Sequence, residues 1–171
     1  MNLEDNDFVL FGLSERFALD RGELDGRWRA LQAQVHPDRF VDRGAAAQRV
    51  SMQWAVRVNE AYQRLKDPVR RAAYLCGLRG HPVEAQPRRL PAQLLQQQMQ
   101  WREALDEARD AGEVARLMSE ASDFKARTLA DLRASLDERQ DAAAAAAQVQ
   151  ALMFVERFMQ EVNKRADAME S

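Results

Sequence analysis

A chain of 171 residues, 46% hydrophobic and 30% charged, has enough apolar material for one medium domain or two small ones and too much for a disordered segment. The net charge is −2, with 13 Lys/Arg against 11 Asp/Glu up to residue 80 and 12 against 16 after it. This leaves no basic stripe for nucleic acid. The single Cys76 excludes an internal disulfide and a cysteine-paired metal site, and no apolar run approaches membrane length. Seven Gly and five Pro among abundant Ala, Leu, Gln, Glu and Arg point to an all-α protein. The acidic start, Met1 to Asp5, has no apolar signal core, and with a single cysteine the expected compartment is the cytoplasm or an equivalent reducing space.

The first half predicts four helices. A short one covers residues 7–11, with Phe8, Val9 and Phe11 as its apolar positions. Asp20 with Glu23 three positions on has the form of a capping box and starts the second. Leu24, Trp28, Leu31 and Val35 fall on one face of it. Pro37 lacks an N–H and disfavours helical geometry at His36, so this helix stops at about Val35. His36-Pro37-Asp38 then occupies a polar loop at the tip of a helical hairpin, a place to touch another protein. Taken alone, the tripeptide reads more readily as an ordinary turn, and only the context downstream reverses that. The third helix covers residues 45–66 with Val50, Trp54, Val58, Ala61 and Leu65 on one face. Asp67 as N-cap and Pro68 at the first helical position start a fourth, ending near Gly77 or Gly80. Trp28, Leu31, Trp54, Val58, Tyr62 and Leu65 are the expected core.

Residues 79–90 hold two prolines, a glycine and no helical period, and form the expected linker. His81 within it has no evident role. Three long helices follow. Pro91 opens one to about Asp110, where Gly112 breaks it; the next covers residues 113–138 and the last residues 141–166. Val114, Leu117, Ala121, Phe124, Thr128 and Leu132 line one face of the middle helix. Six alanines at 142–147 suit a close helix–helix contact. Short connections make an antiparallel three-helix bundle the simplest arrangement. On the helix after Pro91, Leu94, Gln98, Trp101, Leu105 and Ala108 share the core-facing side. Leu95, Gln96, Met99, Glu103 and Glu107 project roughly opposite. On the last helix Val149, Leu152, Val155, Met159 and Val162 form the core stripe and Phe154 points away. The pattern leaves two arrangements open: Leu95, Met99 and Phe154 form an exposed patch for a partner, or they pack internally beneath a broad buried surface.

His36-Pro37-Asp38, followed by Asn59-Glu60-Ala61-Tyr62, Leu65, Asp67-Pro68, Arg71-Ala72 and Tyr74, resembles a J-domain. The resemblance implies docking on a DnaK-type chaperone and stimulation of its ATP hydrolysis. An N-terminal J-domain, a linker and a helical bundle at this length are similar to the HscB family of co-chaperones. The segments Phe8 to Leu13, Leu19-Asp20, His36 to Phe40 and Trp101 to Glu107 carry that likeness. It implies a J-domain at 1–78, a linker at 79–90 and a scaffold-binding bundle at 91–171. The implied partners are the chaperone HscA and the iron–sulfur scaffold IscU, with no enzymatic activity, no cofactor, no nucleic acid or membrane, and a monomeric state. The chaperone-binding positions implied are His36, Pro37, Asp38, Arg27, Arg29 and Arg39. The scaffold-binding positions implied are Leu95, Gln96, Met99, Gln100, Glu103, Glu107 and Phe154.

The chain departs from that family pattern in three respects. Gln96 stands where the family often has Met, and Gln97 and Gln100 near positions often occupied by Glu. Val35 replaces an aromatic before the tripeptide. Ala33 replaces a basic residue, so the positive surface rests on Arg27, Arg29 and Arg39, with Arg27 and Arg29 expected to be solvated. Two other readings stand beside this one: a general J-protein delivering unfolded chains, and a structural adaptor with a non-stimulating J-like fold. The absence of glycine-rich regions opposes the first and the intact tripeptide the second. No phosphate loop, activated nucleophile or metal-ligand spacing suggests an enzyme.

Overall fold

The computed structural model of the chain describes residues 2–84 and 89–170, and every regular element among them is helical. In order these are α1 (Asp7–Leu10), α2 (Arg21–Val35), a 3-10 segment (Pro37–Arg43), α3 (Ala45–Lys66), α4 (Pro68–Leu78), α5 (Ala92–Glu107), α6 (Ala111–Arg133) with a π-helical turn (Ala134–Glu138), and α7 (Ala142–Glu170). The chain divides into two compact units, Met1–Leu75 and Cys76–Ser171. The division falls inside α4. The expected linker includes residues 85–88, which lie outside the described residues.

Helix ends follow local chemistry. Asp20 accepts from the Glu23 N–H at 2.7 Å, Asp67 from Arg70 at 2.8 Å and Asp110 from Glu113 at 2.8 Å, each satisfying a donor that the first turn leaves open. Gly112 therefore does not break a helix. The Asp110 cap starts α6 at Ala111, so Gly112 lies in its first turn, where an added Cβ would come within 3.1 Å of the Asp110 carboxylate. Gly80 ends α4, with φ at +82°. His81 N–H reaches back to Cys76 O at 2.8 Å and Gly80 N–H to Gly77 O at 3.1 Å, the two bonds of a Schellman motif. His81 serves this turn through its backbone.

In the N-terminal unit α2 and α3 form the hairpin. Leu24, Val58, Ala61, Tyr62 and Leu65 are buried between them and α4 adds Val69, Ala72 and Leu75. Trp28, Leu31 and Trp54 are only half-buried and Val50 is exposed, so the apolar stripe of α3 runs past the end of the core. Trp28 stacks on Tyr62 at 4.5 Å between centroids, and its Nε1 donates to Asn59 Oδ1 at 3.0 Å.

The tie that fixes α1 is polar. Asp7 has no exposure to solvent, and its two carboxylate oxygens accept from Arg57 Nη1 at 2.8 Å and Arg64 Nη1 at 2.9 Å. The Asp7 N–H donates to the Tyr74 hydroxyl at 3.0 Å, and Arg64 lies over the Tyr74 ring. α1, α3 and α4 thus meet at one carboxylate. Phe8 is carried into the core beside it.

In the C-terminal unit Trp101 joins all three helices. It stacks on Phe158 at 4.9 Å and Phe154 at 5.9 Å, both from α7, and meets Phe124 of α6 edge-on at 5.4 Å. Trp101 beside Phe158 and the Ala108 carbonyl beside Arg165 advance together along the two chains, so α5 and α7 run parallel, with α6 between them in sequence and antiparallel to both. Ala142 and Ala145 are buried at the start of α7, where small side chains let helices approach. Phe124, Thr128 and Met159 of the expected stripes are half-buried. Arg79 donates from Nη1 to the Leu136 carbonyl of the π-helical turn at 2.6 Å, and Arg139 from Nη2 to Ser135 Oγ at 2.8 Å.

Removing one partner from a buried ion pair leaves the others uncompensated, which costs about 3–5 kcal/mol. Asp7→Ala is therefore expected to destabilise the N-terminal unit by roughly that amount. Urea denaturation followed at residues of each unit by NMR checks it, and the bundle signals should keep their wild-type midpoint.

Candidate functional site

The first site is the hairpin tip. Pro37 removes the N–H that would bond to the Ala33 carbonyl as α2 closes its last turn. Arg39 supplies the donor instead, from Nη1 to Ala33 O at 3.0 Å. Ser51 Oγ donates to the Val35 carbonyl from α3. The end of α2 is thus capped by two side chains from beyond the tripeptide. His36 Nδ1 accepts from the Asp38 N–H at 3.3 Å, and Nδ1 lies 3.5 Å from Asp38 Oδ2. Both side chains stand in solvent, 54% and 86% exposed. Pro37 to Arg43 continue as a 3-10 segment rather than an open loop, and Gly44 at φ +89° leads into α3.

The structure divides the three arginines expected to form a cationic face. Arg27 is not free. Its Nη2 pairs with Glu23 at 2.7 Å, and its Nη1 donates to the carbonyls of Phe11 and Gly12 at 2.9 and 3.2 Å. Those carbonyls end α1, and Gly12, at φ +64°, leaves room that a Cβ 2.8 Å from Arg27 would take. Arg39 is exposed but spends one donor on α2. Arg29 is exposed. A fourth cation, Arg21, pairs with Asp25 at 2.8 Å and donates to the Tyr62 hydroxyl at 3.2 Å. The Arg21 guanidinium and the Tyr62 hydroxyl together hold the Asp25 carboxyl below its ordinary range.

The second site lies on the bundle. Leu95 and Met99 are 44% and 72% exposed, and Gln96, Gln100, Glu103 and Glu107 are exposed on the same side of α5. Phe154 does not join them on the surface. It is 7% exposed and stacked on Trp101. α7 contacts both α5 and α6, and its buried positions span about 240° of arc at 100° per residue. That width turns Phe154 inward along with Phe158. Phe154 does line a cavity of about 320 Å³ whose other walls include Gln98, Arg102, Met153 and Arg157.

Among the described residues no group of His, Cys, Asp and Glu is placed to hold a metal ion, and no helix is long and apolar enough to cross a membrane. Cys76 is buried, which pushes its thiol up from the ordinary range.

Residues 90–163 match the family model described as the HSCB C-terminal oligomerisation domain. Over 174 aligned positions the chain is 45% identical to the co-chaperone protein HscB homolog of Burkholderia thailandensis, covering 99% of each. The chain belongs to the HscB co-chaperone family. The solved structure of the chaperone HscB from Vibrio cholerae superposes with a TM-score of 0.83 at 33% identity, over 96% of this chain and 99% of that one. Human co-chaperone HscB shares the fold at 23% identity, with a TM-score of 0.90 over 96% of this chain and 83% of that one. The protein is thus a co-chaperone with an N-terminal J-domain and a C-terminal helical bundle.

The apolar surface flanking the tip, formed by Phe40, Val50 and Trp54, went unseen in the sequence. Val50 and Trp54 share a helix face that the periodicity assigned to the core. The exposed Val50 signals that the stripe outruns the hairpin partner.

Two stability measurements separate these roles. Arg27→Ala should be the more destabilising of the two arginine changes, by about 1 kcal/mol because its bonds are open to solvent, while Arg29→Ala should stay within about 0.5 kcal/mol. Phe154→Ala should destabilise the bundle by about 3–5 kcal/mol, as aromatic truncations in a core do. Chemical denaturation of the three variants gives the comparison.

Proposed function

We propose that this co-chaperone binds the iron–sulfur scaffold IscU through its bundle and carries it to the DnaK-type chaperone HscA, stimulating HscA's ATP hydrolysis through the J-domain. The observation that carries the reading is the tip: His36 and Asp38 project into solvent from a hairpin end whose own backbone groups are capped by Arg39 and Ser51. Neither side chain contributes to the core. The pair is displayed for a partner.

In this reading His36, Pro37 and Asp38 engage the chaperone in its ATP state and favour the arrangement competent for hydrolysis. Arg29 contributes charge to the same encounter, and Arg27 and Arg39 position the helices that carry the site. Leu95 and Met99 anchor the scaffold, bordered by Gln96, Gln100, Glu103 and Glu107. Phe154 acts from beneath, stacked on Trp101 of α5, and lines the cavity with Arg102 and Arg157. Carrying both interactions on one chain raises the local concentration of scaffold at the chaperone without requiring contact between the two partners beforehand. The chemistry belongs to the chaperone, and the co-chaperone supplies only binding surfaces.

Single-turnover ATP hydrolysis by HscA is the test. Wild-type protein should accelerate it, and His36→Gln should abolish the acceleration while circular dichroism stays helical. Unchanged stimulation by the mutant would reject the role assigned to the tip. For the bundle, Leu95→Ala with Met99→Ala should weaken IscU binding by at least about 30-fold, the loss of roughly 2 kcal/mol typical of a central anchor. Both residues are exposed, so thermal stability should hardly change. Calorimetry with purified IscU reads the first effect and thermal denaturation the second. A lysate pull-down that returned a broad set of unfolded chains in place of one scaffold would favour a general J-protein.

A further inference from the structure

Of all the large hydrophobic side chains among the described residues, Met99 is the most open, at 72% exposure. Leu95, one turn before it on α5, is 44% exposed. The residues one turn away on either side are Leu95, Gln96, Arg102 and Glu103, and none of them roofs the thioether. Most other described sulfur atoms are sheltered. Cys76 is fully buried, and burial pushes its thiol up, so it keeps its proton and is a poor nucleophile. Met118, Met153, Met159 and Met169 are half-buried. Met52 is comparably open, at 58%, but it lies on α3 in the N-terminal unit and on no surface assigned to the scaffold.

A solvent-facing thioether has one ready reaction, the acceptance of an oxygen atom. A lone pair on Met99 Sδ attacks one oxygen of hydrogen peroxide. The S–O bond forms as the O–O bond breaks, and the proton of the attacked oxygen passes to the other, which leaves as water. Sulfur loses two electrons and the peroxide gains them. The product is a sulfoxide, a polar side chain with a strong acceptor oxygen. In the free protein water bonds that oxygen, so the fold loses nothing. Beneath a partner the oxygen is cut off from water, and a buried acceptor left unpaired is costly. A leucine here would offer a partner similar apolar volume without this chemistry. The inward side of α5, carried by Leu94, Trp101 and Leu105, is buried and takes no part in the reaction.

We propose that Met99 is an oxidation site through which peroxide lowers the affinity of this co-chaperone for its scaffold. The inference rests on the reading of Leu95 and Met99 as scaffold anchors given above and adds regulation to that surface. The modification is reversible. A thiol-dependent methionine sulfoxide reductase takes the oxygen off as water, two thiols supply the electrons and become a disulfide, and the apolar anchor returns. The same reaction at a half-buried methionine of the bundle would disturb packing. At Met99 only the bound state suffers.

The test treats the full chain alone with hydrogen peroxide, removes the peroxide, and then titrates in untreated IscU by calorimetry. Peptide mass spectrometry should find the sulfoxide at Met99 and Met52 well before the half-buried methionines. The Kd for IscU should rise by at least about tenfold, as when a buried acceptor is left unpaired, while the Tm stays at its untreated value. Methionine sulfoxide reductase with a thiol should return the original Kd. Met99→Leu has no sulfur to oxidise at this position. Whatever its own Kd, peroxide should change that value by less than about twofold. Met52→Leu should respond to peroxide as the wild type does. Unchanged affinity in protein carrying the Met99 sulfoxide, or an equal loss in Met99→Leu, would overturn the proposal and leave the scaffold reading standing. A fall in Tm shared by wild type and Met99→Leu would assign the effect to the half-buried methionines and overturn it as well. Untreated wild-type protein that does not bind IscU would overturn the scaffold reading, and this proposal with it, before any peroxide is added.

Discussion

A single buried carboxylate organises the J-domain. Asp7 lies on a helix of four residues, too short to hold its own shape in water, and two arginines of α3 fasten it there. The desolvation of that carboxylate is offset by having both oxygens paired, and by Tyr74 receiving the adjoining N–H. Phe8 and Phe11 are thereby delivered to the core, and the carbonyls at the end of α1 are presented to Arg27 of α2. The hairpin that displays His36 and Asp38 is braced at its open end by this network. Tyr62 completes the brace, bonded to Asp25 and stacked against Trp28. The bundle has an apolar counterpart in Trp101, which touches α6 and α7 at once and lets the opposite face of α5 stay in solvent.

Much of this was legible in local chemistry. Pro37 predicted the end of α2, the aspartates at 20 and 67 predicted two helix starts, and the apolar period identified Leu94, Trp101 and Leu105 as the inward face of α5. The tripeptide and the motif downstream of it pointed to the family. Three readings failed for identifiable reasons. Gly112 looks like a breaker by composition, but the caps around it decide, and Asp110 with Glu113 makes that stretch a beginning. Arg27 is exposed, as a helical wheel implies, but it is not free, because the wheel omits the carbonyls of Phe11 and Gly12, which come from 15 and 16 residues away. Phe154 looks outward because a single stripe was assumed where α7 has two neighbours.

These corrections change how the two faces of the protein work. The cationic character of α2 is largely spent inside the domain, on its own carboxylates and on backbone oxygens. What remains at the tip is shape, two exposed polar side chains and the apolar surface that flanks them. On the bundle, the exposed surface around Leu95 and Met99 lacks the aromatic that the sequence placed on it. The aromatic supports that surface from below.

Arg39 gives the tip a property of its own. The residue that follows the tripeptide returns to close the helix that precedes it, so His36, Pro37 and Asp38 are strung between two anchored points. Pro37 fixes one dihedral within that span and the 3-10 segment holds the far side. A loop so restrained has few conformations to surrender when another surface closes over it. Any association at this tip would lose little to ordering.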